Sequence, residues 1–188
     1  MSGAGKSTVC EVFRERGFSV IDCDGISRKT AGNAAFLKEL SERFSKALLK
    51  SDGSLDREAV AALIYSDEQA KSRYQRVIFP YIIYGIIRQI KGNGGVCVLD
   101  APTLFESGLE IICSKIVSVT ANTDECIARI QNRDGITLKQ AEKRLFSQHS
   151  AEFFRENSDY CIENNGTAAD LRAIAAKIAD KIKGEIWK

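Results

Sequence analysis

"MSGAGKST", residues 1–8, limits what this chain can fold into more than any other stretch. A phosphate-binding P-loop reads G-x-x-x-x-G-K-[ST]. Here Gly5, Lys6 and Ser7 supply its second half, with Gly3 and Ala4 before them and Thr8 after. Counting back from Gly5 puts the first glycine of the motif one residue before Met1. The half that is present is the half that touches phosphate. Glycines let backbone N–H groups curl around phosphate oxygens, a lysine in the place of Lys6 reaches the β- and γ-phosphates, and a hydroxyl in the place of Ser7 ligates magnesium. A helical pattern of Val9, Val12 and Phe13 starts directly behind the loop, carries Arg14 and Arg16 in its last turn and stops at Gly17. The positive end of that helix adds to the attraction for phosphate. A Gly-rich start with a lysine is also the look of a flexible terminus or a tag remnant, but a tail does not run into an amphipathic helix with a glycine stop.

A P-loop hangs from the carboxyl end of a strand inside a parallel sheet. The expected fold is therefore α/β, a P-loop kinase fold with a mainly parallel sheet flanked by helices, and the sequence begins after the place of its first strand. Short continuous apolar runs mark the other strands: "FSVID" (18–22), "VCVLD" (96–100), "KIVSVT" (115–120) and "DYCIEN" (159–164). Continuous rather than alternating runs fit strands covered on both faces. From about Ala34 to Gly92 the pattern is helical, broken by "KSDGS" (50–54), and is too long for a simple crossover, so a helical substrate-side subdomain is expected there. "TLKQ" (137–140) has capping-box spacing and starts a helix carrying Ala141 and Leu145. Leu171, Ile174, Ala175, Ile178 and Ile182 line one face of a final helix.

With 188 residues the chain fits a single domain spanning 1–188, and no linker or repeat divides it. Its 27 basic and 25 acidic side chains nearly cancel, so no global field marks a nucleic-acid or membrane binder. No apolar stretch reaches membrane-spanning length and no signal-peptide order is present. Six cysteines scattered without a C-x-x-C pair suit reduced thiols in the cytoplasm better than a disulfide frame or a zinc site. Oligomeric state is open at this level.

Three stretches carry residues suited to chemistry. "VIDCDGISR" puts Asp22 and Asp24 at a strand end, where open parallel sheets bind ligands. Two apart on an extended segment, they point the same way. One would take a proton from an attacking hydroxyl and the other hold magnesium, its waters or the backbone turn; the plain alternative is a strand-end turn. "VLDAPTLFESGL" ends another run at Asp100, in the manner of a Walker-B acid that orients magnesium, and Leu104 and Phe105 offer apolar surface beyond it. In "CIARIQNRDGITLKQAEKRLFSQ", Arg129 and Arg133 lie four apart on one helical face and Arg144 on the next helix. Arginines on such a lid, about 129–150, neutralise the charge that phosphoryl transfer spreads over oxygens, although a charged hairpin is also an ordinary solvated surface. His149 and Trp187 have no partner at useful spacing, and the histidine reads as surface structure.

Together the pieces resemble the dephospho-coenzyme A kinase family over nearly the whole length. The carriers are "GAGKST", "VIDCDGISR" (family V-I-D-A-D-x-I-A-R), "DGSLDREAVAALIYSD", "LDAPTLFESGL", "RDGITLKQAEKRLFSQ" and "IENNG". The resemblance implies ATP-dependent phosphorylation of the ribose 3′-hydroxyl of dephospho-coenzyme A, with Mg2+. Asp24 then matches the general base, Gly3, Ala4, Gly5, Lys6, Ser7 and Thr8 the ATP phosphate loop, and Arg133 and Arg144 the lid arginines. Asn164 falls where the last strand leads toward the adenine, and the 34–92 region helps cover the acceptor. Phe79 stands where a histidine is usual and Glu163 where an aspartate is. The rival readings are another small-metabolite or nucleoside kinase and a non-catalytic nucleotide-binding paralogue.

Overall fold

The computed structural model describes residues 1–44, 46–94 and 96–186; Trp187 lies outside them. In chain order the helices and strands are α1 (Lys6–Glu15), β1 (Ser19–Asp22), α2 (Cys23–Thr30), α3 (Ala34–Phe44), α4 (Arg57–Ser66), α5 (Glu68–Gly92), β2 (Cys97–Asp100), β3 (Val117–Thr120), α6 (Thr123–Asp134), α7 (Leu138–Phe146), α8 (Ala151–Glu156), β4 (Tyr160–Glu163) and α9 (Ala168–Ile186). Every one of these strands lies inside an apolar run that the sequence marks out. β1 pairs with β2, and β3 with β4. The second pair is parallel, in a register from Val117 opposite Tyr160 to Thr120 opposite Glu163. No helix among the described residues is long and apolar enough to cross a membrane. The chain divides into two compact units, Met1–Val20 with Pro102–Lys188, and Ile21–Ala101.

In the first unit α1 packs on α9. α1 buries Val9, Cys10, Val12 and Phe13, the face predicted from the sequence with Cys10 added. α9 buries Leu171, Ala175, Ala179 and Ile182, so its core face is turned from the one predicted: Ile174 is 40% exposed and Ala179 takes a core place. The reason is the row Leu171, Ala175, Ala179 at i, i+4, i+8. Its small side chains let the two helices approach closely, whereas isoleucines in that ridge would hold them apart. β3 and β4 bury Val119 and Ile162 on one face, and on the other the Ser118 hydroxyl donates to the Phe154 carbonyl of α8 (3.4 Å). His149, read from the sequence as surface structure, instead stacks on Phe153 with ring centroids 3.8 Å apart, and Phe105 meets both rings edge-on. Phe105, half-buried, is thereby part of an aromatic cluster.

The second unit holds the helical region. Phe36, Leu40, Leu48, Val60, Val77 and Ile78 form its core, with Tyr74, Phe79 and Tyr81 packed against it. Phe79, in the usual place of a histidine, thus contributes to an apolar cluster. The "KSDGS" stretch is a turn in which the Lys50 amide donates to the Ser54 carbonyl (2.8 Å). Asp56 then caps α4 by accepting from the amides of Glu58 and Ala59, each 3.0 Å away, and Asp67 caps α5 through the Gln69 amide (2.8 Å). Such caps contribute about 1 kcal/mol each, which is how one long apolar stretch is cut into separate helices. α2 lies against α5 because Gly85 has no side chain: a Cβ there would stand 2.8 Å from Ile26 Cγ2.

Candidate active site

The glycine loop leads into the N-terminus of α1. Gly3 and Gly5 both adopt positive φ, 74° and 102°, where L side chains are strained. Space enforces the choice as well. A Cβ on Gly3 would lie 2.6 Å from the Cys126 carbonyl oxygen, and one on Gly5 would lie 2.8 Å from Asn164 Nδ2. The resulting curl leaves the amides of Gly3, Gly5 and Ser7 without an acceptor among the described residues. Unpaired amides at a helix start, on the positive end of its dipole, form an anion-binding cradle. Ser7 sits exposed in the first turn of α1 with no partner for its hydroxyl among the described residues, and Lys6 opens the helix.

Three parts of the fold pin the backbone of this loop. Asn164, buried at the end of β4, donates through Nδ2 to the Ala4 carbonyl (2.8 Å). Arg129 on α6 donates to the Gly3 carbonyl (3.3 Å) while pairing with Glu125 (2.7 Å). Before the loop, the Met1 nitrogen donates to the Val119 carbonyl on β3, and the Ser2 amide to the side-chain oxygen of Gln148, both at 2.8 Å. Carbonyls turned outward and held leave the amides facing the opposite way. Arg129 and Gln148 are thus part of the phosphate loop's support, a role that nothing in their local sequence signals. Asn164, which the family resemblance set toward the adenine, lies under the loop with its amide nitrogen on the Ala4 carbonyl.

Arg133 and Arg144 come together on one carboxylate. Arg133 donates from Nε and Nη2 to the two oxygens of Asp134 (2.8 and 2.9 Å), and Arg144 Nη1 donates to Asp134 Oδ2 (2.8 Å). The hydrogen bond from Arg133, and the charges of both arginines, hold the Asp134 carboxyl below the usual carboxylate range. The same bond raises Arg133 above the ordinary guanidinium value. Gly135 turns the chain at φ 64°, and Thr137 begins α7 with the capping box that the T-x-x-Q spacing predicts. The expected common face of Arg129 and Arg133 does not give them a common partner: Arg129 reaches the phosphate loop and Arg133 the tip of the helical pair.

In the other unit, the two aspartates of "VIDCDG" are separated by a change of secondary structure. They do not share an extended segment, because β1 ends at Asp22 and α2 begins at Cys23. Asp22 is the N-cap: it accepts from the Gly25 amide (2.8 Å) and from Arg28 (3.1 Å). Asp24, in the first turn of α2, is exposed and has no hydrogen bond or ion pair among the described residues. One carboxylate builds the turn and the other stands exposed beside it. Asp100 closes β2, half-buried. No group of three or more His, Cys, Asp or Glu among the described residues forms a metal cluster.

An α/β chain with unpaired amides curled at the start of a helix and paired arginines on a helical tip falls in the class of P-loop kinases. The family model described as dephospho-CoA kinase matches residues 2–170, and the chain belongs to that family. A dephospho-CoA kinase from Corynebacterium glutamicum is 31% identical over 190 residues, covering 98% of this chain and 94% of the relative. One from Fusobacterium nucleatum is 32% identical over 170 residues, with 89% and 88% covered. Among solved structures, a Thermus thermophilus protein superposes with a TM-score of 0.81 at 29% identity over 95% of this chain and 93% of its own. A dephospho-CoA kinase from Campylobacter jejuni gives a TM-score of 0.68 at 28% identity, covering 97% and 94%.

Proposed function

We propose that this chain transfers the γ-phosphoryl group of ATP to the ribose 3′-hydroxyl of dephospho-coenzyme A, giving coenzyme A and ADP. The observation that carries the reading is the open set of loop amides at the start of α1, in a chain whose family match runs through the loop, the aspartate pair and the lid helices. The amides of Gly3, Gly5 and Ser7, with Lys6 and Thr8, hold the ATP phosphates. Asp24, without another bond among the described residues, takes the proton of the 3′-hydroxyl as its oxygen attacks. A P–O bond to that oxygen forms, and the bond from the γ-phosphorus to ADP breaks. Arg133 and Arg144 form the lid at about 129–150. The γ-phosphate carries more charge than Asp134 and competes for both arginines, which then neutralise the charge spread in the transition state.

Ser7 and Asp100 are hard oxygen donors of the kind that magnesium takes. Each is proposed as a ligand to Mg2+, whose chemistry would be to neutralise the phosphates. The 34–92 helices serve the acceptor within a single kinase domain. All six cysteines are free thiols, in keeping with a cytoplasmic enzyme. ADP release from purified protein with Mg-ATP and a panel of acceptors tests the reading. Turnover with dephospho-coenzyme A far above that with nucleosides supports it. Turnover with another acceptor alone, or ATP binding with no turnover at all, overturns it.

A further inference from the structure

Between α2 and α5, within the helical unit, lies a cleft of about 400 Å³ whose lining includes Ile26, Lys29, Tyr81, Tyr84, Gly85 and Arg88. The α5 residues 81, 84, 85 and 88 follow the i, i+3, i+4, i+7 spacing that ordinarily buries an apolar stripe. Here the stripe carries two tyrosines, a glycine and an arginine. Facing it, α2 supplies Ile26 and Lys29 at i, i+3. Tyr84 is 64% exposed, an unusual cost for a large aromatic side chain with nothing stacked on it.

The charges sharpen the reading. Neither Lys29 nor Arg88 has a hydrogen bond or ion pair among the described residues, and no carboxylate lines the cleft. Glu39, the acid bonded to a lining residue, is already engaged by Tyr81 Oη (2.8 Å) and Arg43 (2.9 Å). Two unpaired cations from different helices, beside an exposed aromatic face, suit a ligand with adjacent phosphates and a flat ring. Lys29 stands on α2 five residues beyond Asp24, the residue proposed to meet the 3′-hydroxyl. Asp24 and Lys29 are separated by about 7.5 Å of helix axis at 1.5 Å per residue. That is comparable to the span from a ribose 3′-oxygen to phosphates on the 5′ side of the same nucleoside.

We propose that the α2–α5 cleft holds the 5′-diphosphate of the acceptor, with Lys29 and Arg88 on its two phosphates and Tyr84 against the adenine. The proposal rests on the reading of the acceptor as dephospho-coenzyme A. Steady-state kinetics and calorimetric binding of dephospho-coenzyme A without ATP, on Lys29→Ala, Arg88→Ala and Arg88→Lys, test it. Each alanine variant should raise the acceptor KM and Kd by roughly 10-fold or more, the scale of a lost charge-assisted hydrogen bond. The KM for ATP and kcat should hold, and Arg88→Lys should recover part of the loss. Both side chains are exposed, so the variants should melt with the parent. Normal turnover with an unmoved acceptor KM, or an ATP KM that moves instead, overturns the cleft and leaves the activity. Binding that weakens in the variants of a protein that never turns over overturns the activity and keeps the cleft. Neither turnover nor binding overturns both.

Discussion

Asp22 and Asp24 are the same side chain two positions apart, and their surroundings give them different work. Asp22 spends its oxygens on the Gly25 amide and on Arg28, so it fixes the strand-to-helix turn, while Asp24 keeps its carboxylate unpaired. Asp24→Asn keeps the volume and removes the proton acceptor. Turnover should fall roughly 100-fold or more, with the KM for ATP nearly kept; steady-state rates that match the parent would take Asp24 out of the base role. Asn164 is a positioning residue by the same reasoning. Its amide donates to the Ala4 carbonyl in a buried place, and the Gly5 turn is shaped around it. Asn164→Ala leaves that carbonyl without its donor, and Asn164→Asp sets an oxygen against it. ATP affinity by calorimetry should therefore fall in the order parent, alanine, aspartate, by roughly 10-fold at the first step. Equal affinities in all of them would show that the loop holds its curl unaided. The glycines of the loop are legible in sequence because their need is local. Asn164 is not, because the carbonyl it serves is 160 residues away, and no spacing rule reaches that far.

At the scale of elements, the helical pair α6–α7 shows where pattern reading succeeds and where it stops. Helix ends follow from neighbours in the chain, so the Thr137 capping box and the glycine turn at Gly135 are readable beforehand. The choice of α9's core face is not. An amphipathic pattern names the apolar residues, but the partner helix decides which of them it covers, and close packing on α1 favours Ala179 over Ile174. The electrostatics of the α6–α7 tip yield a pH prediction. Asp134 has a carboxyl pKa lowered by Arg133 and Arg144, so its contribution to stability is present above the ordinary carboxylate range and is lost as pH falls through the lowered folded value. Melting temperatures of the parent and of Asp134→Asn should differ by a constant amount from neutral pH down to about pH 4 and converge below it. Both arginines are more than half exposed, so added salt should shrink the gap as well. A gap that widens on acidification would mean that Asp134 is held by something other than these arginines.

Across the whole molecule, the residues proposed for binding and catalysis are divided between two compact units. The loop, its pins and the Arg133–Arg144 pair belong to Met1–Val20 with Pro102–Lys188, whereas Asp24, Asp100 and the α2–α5 cleft belong to Ile21–Ala101. The strands and the helical region are legible in the sequence, since apolar runs and capping residues carry their own boundaries. The division is not, because the first unit is assembled from segments far apart in the chain, and contacts such as Asn164 with Ala4 leave no local mark. A division of this kind predicts how each ligand protects the backbone. On the proposed assignment, a bound phosphate chain would occupy the loop amides and, through Arg129, damp the opening of α6, whereas the acceptor's diphosphate would tie α2 to α5 through Lys29 and Arg88. Amide exchange follows local opening, so a ligand slows it in the elements whose opening breaks its contacts. Mg-ATP alone should slow exchange in residues 3–8 and in α6 and leave α5 as it was. Dephospho-coenzyme A alone should slow α2 and the 81–89 turns of α5 and leave the loop as it was. Exchange followed by mass spectrometry on the full chain reads both at once. Protection of the loop by the acceptor alone, as strong as that by nucleotide, would place the acceptor's phosphates on Gly3 and Gly5 and refute the assignment of the two sets of phosphates to separate units.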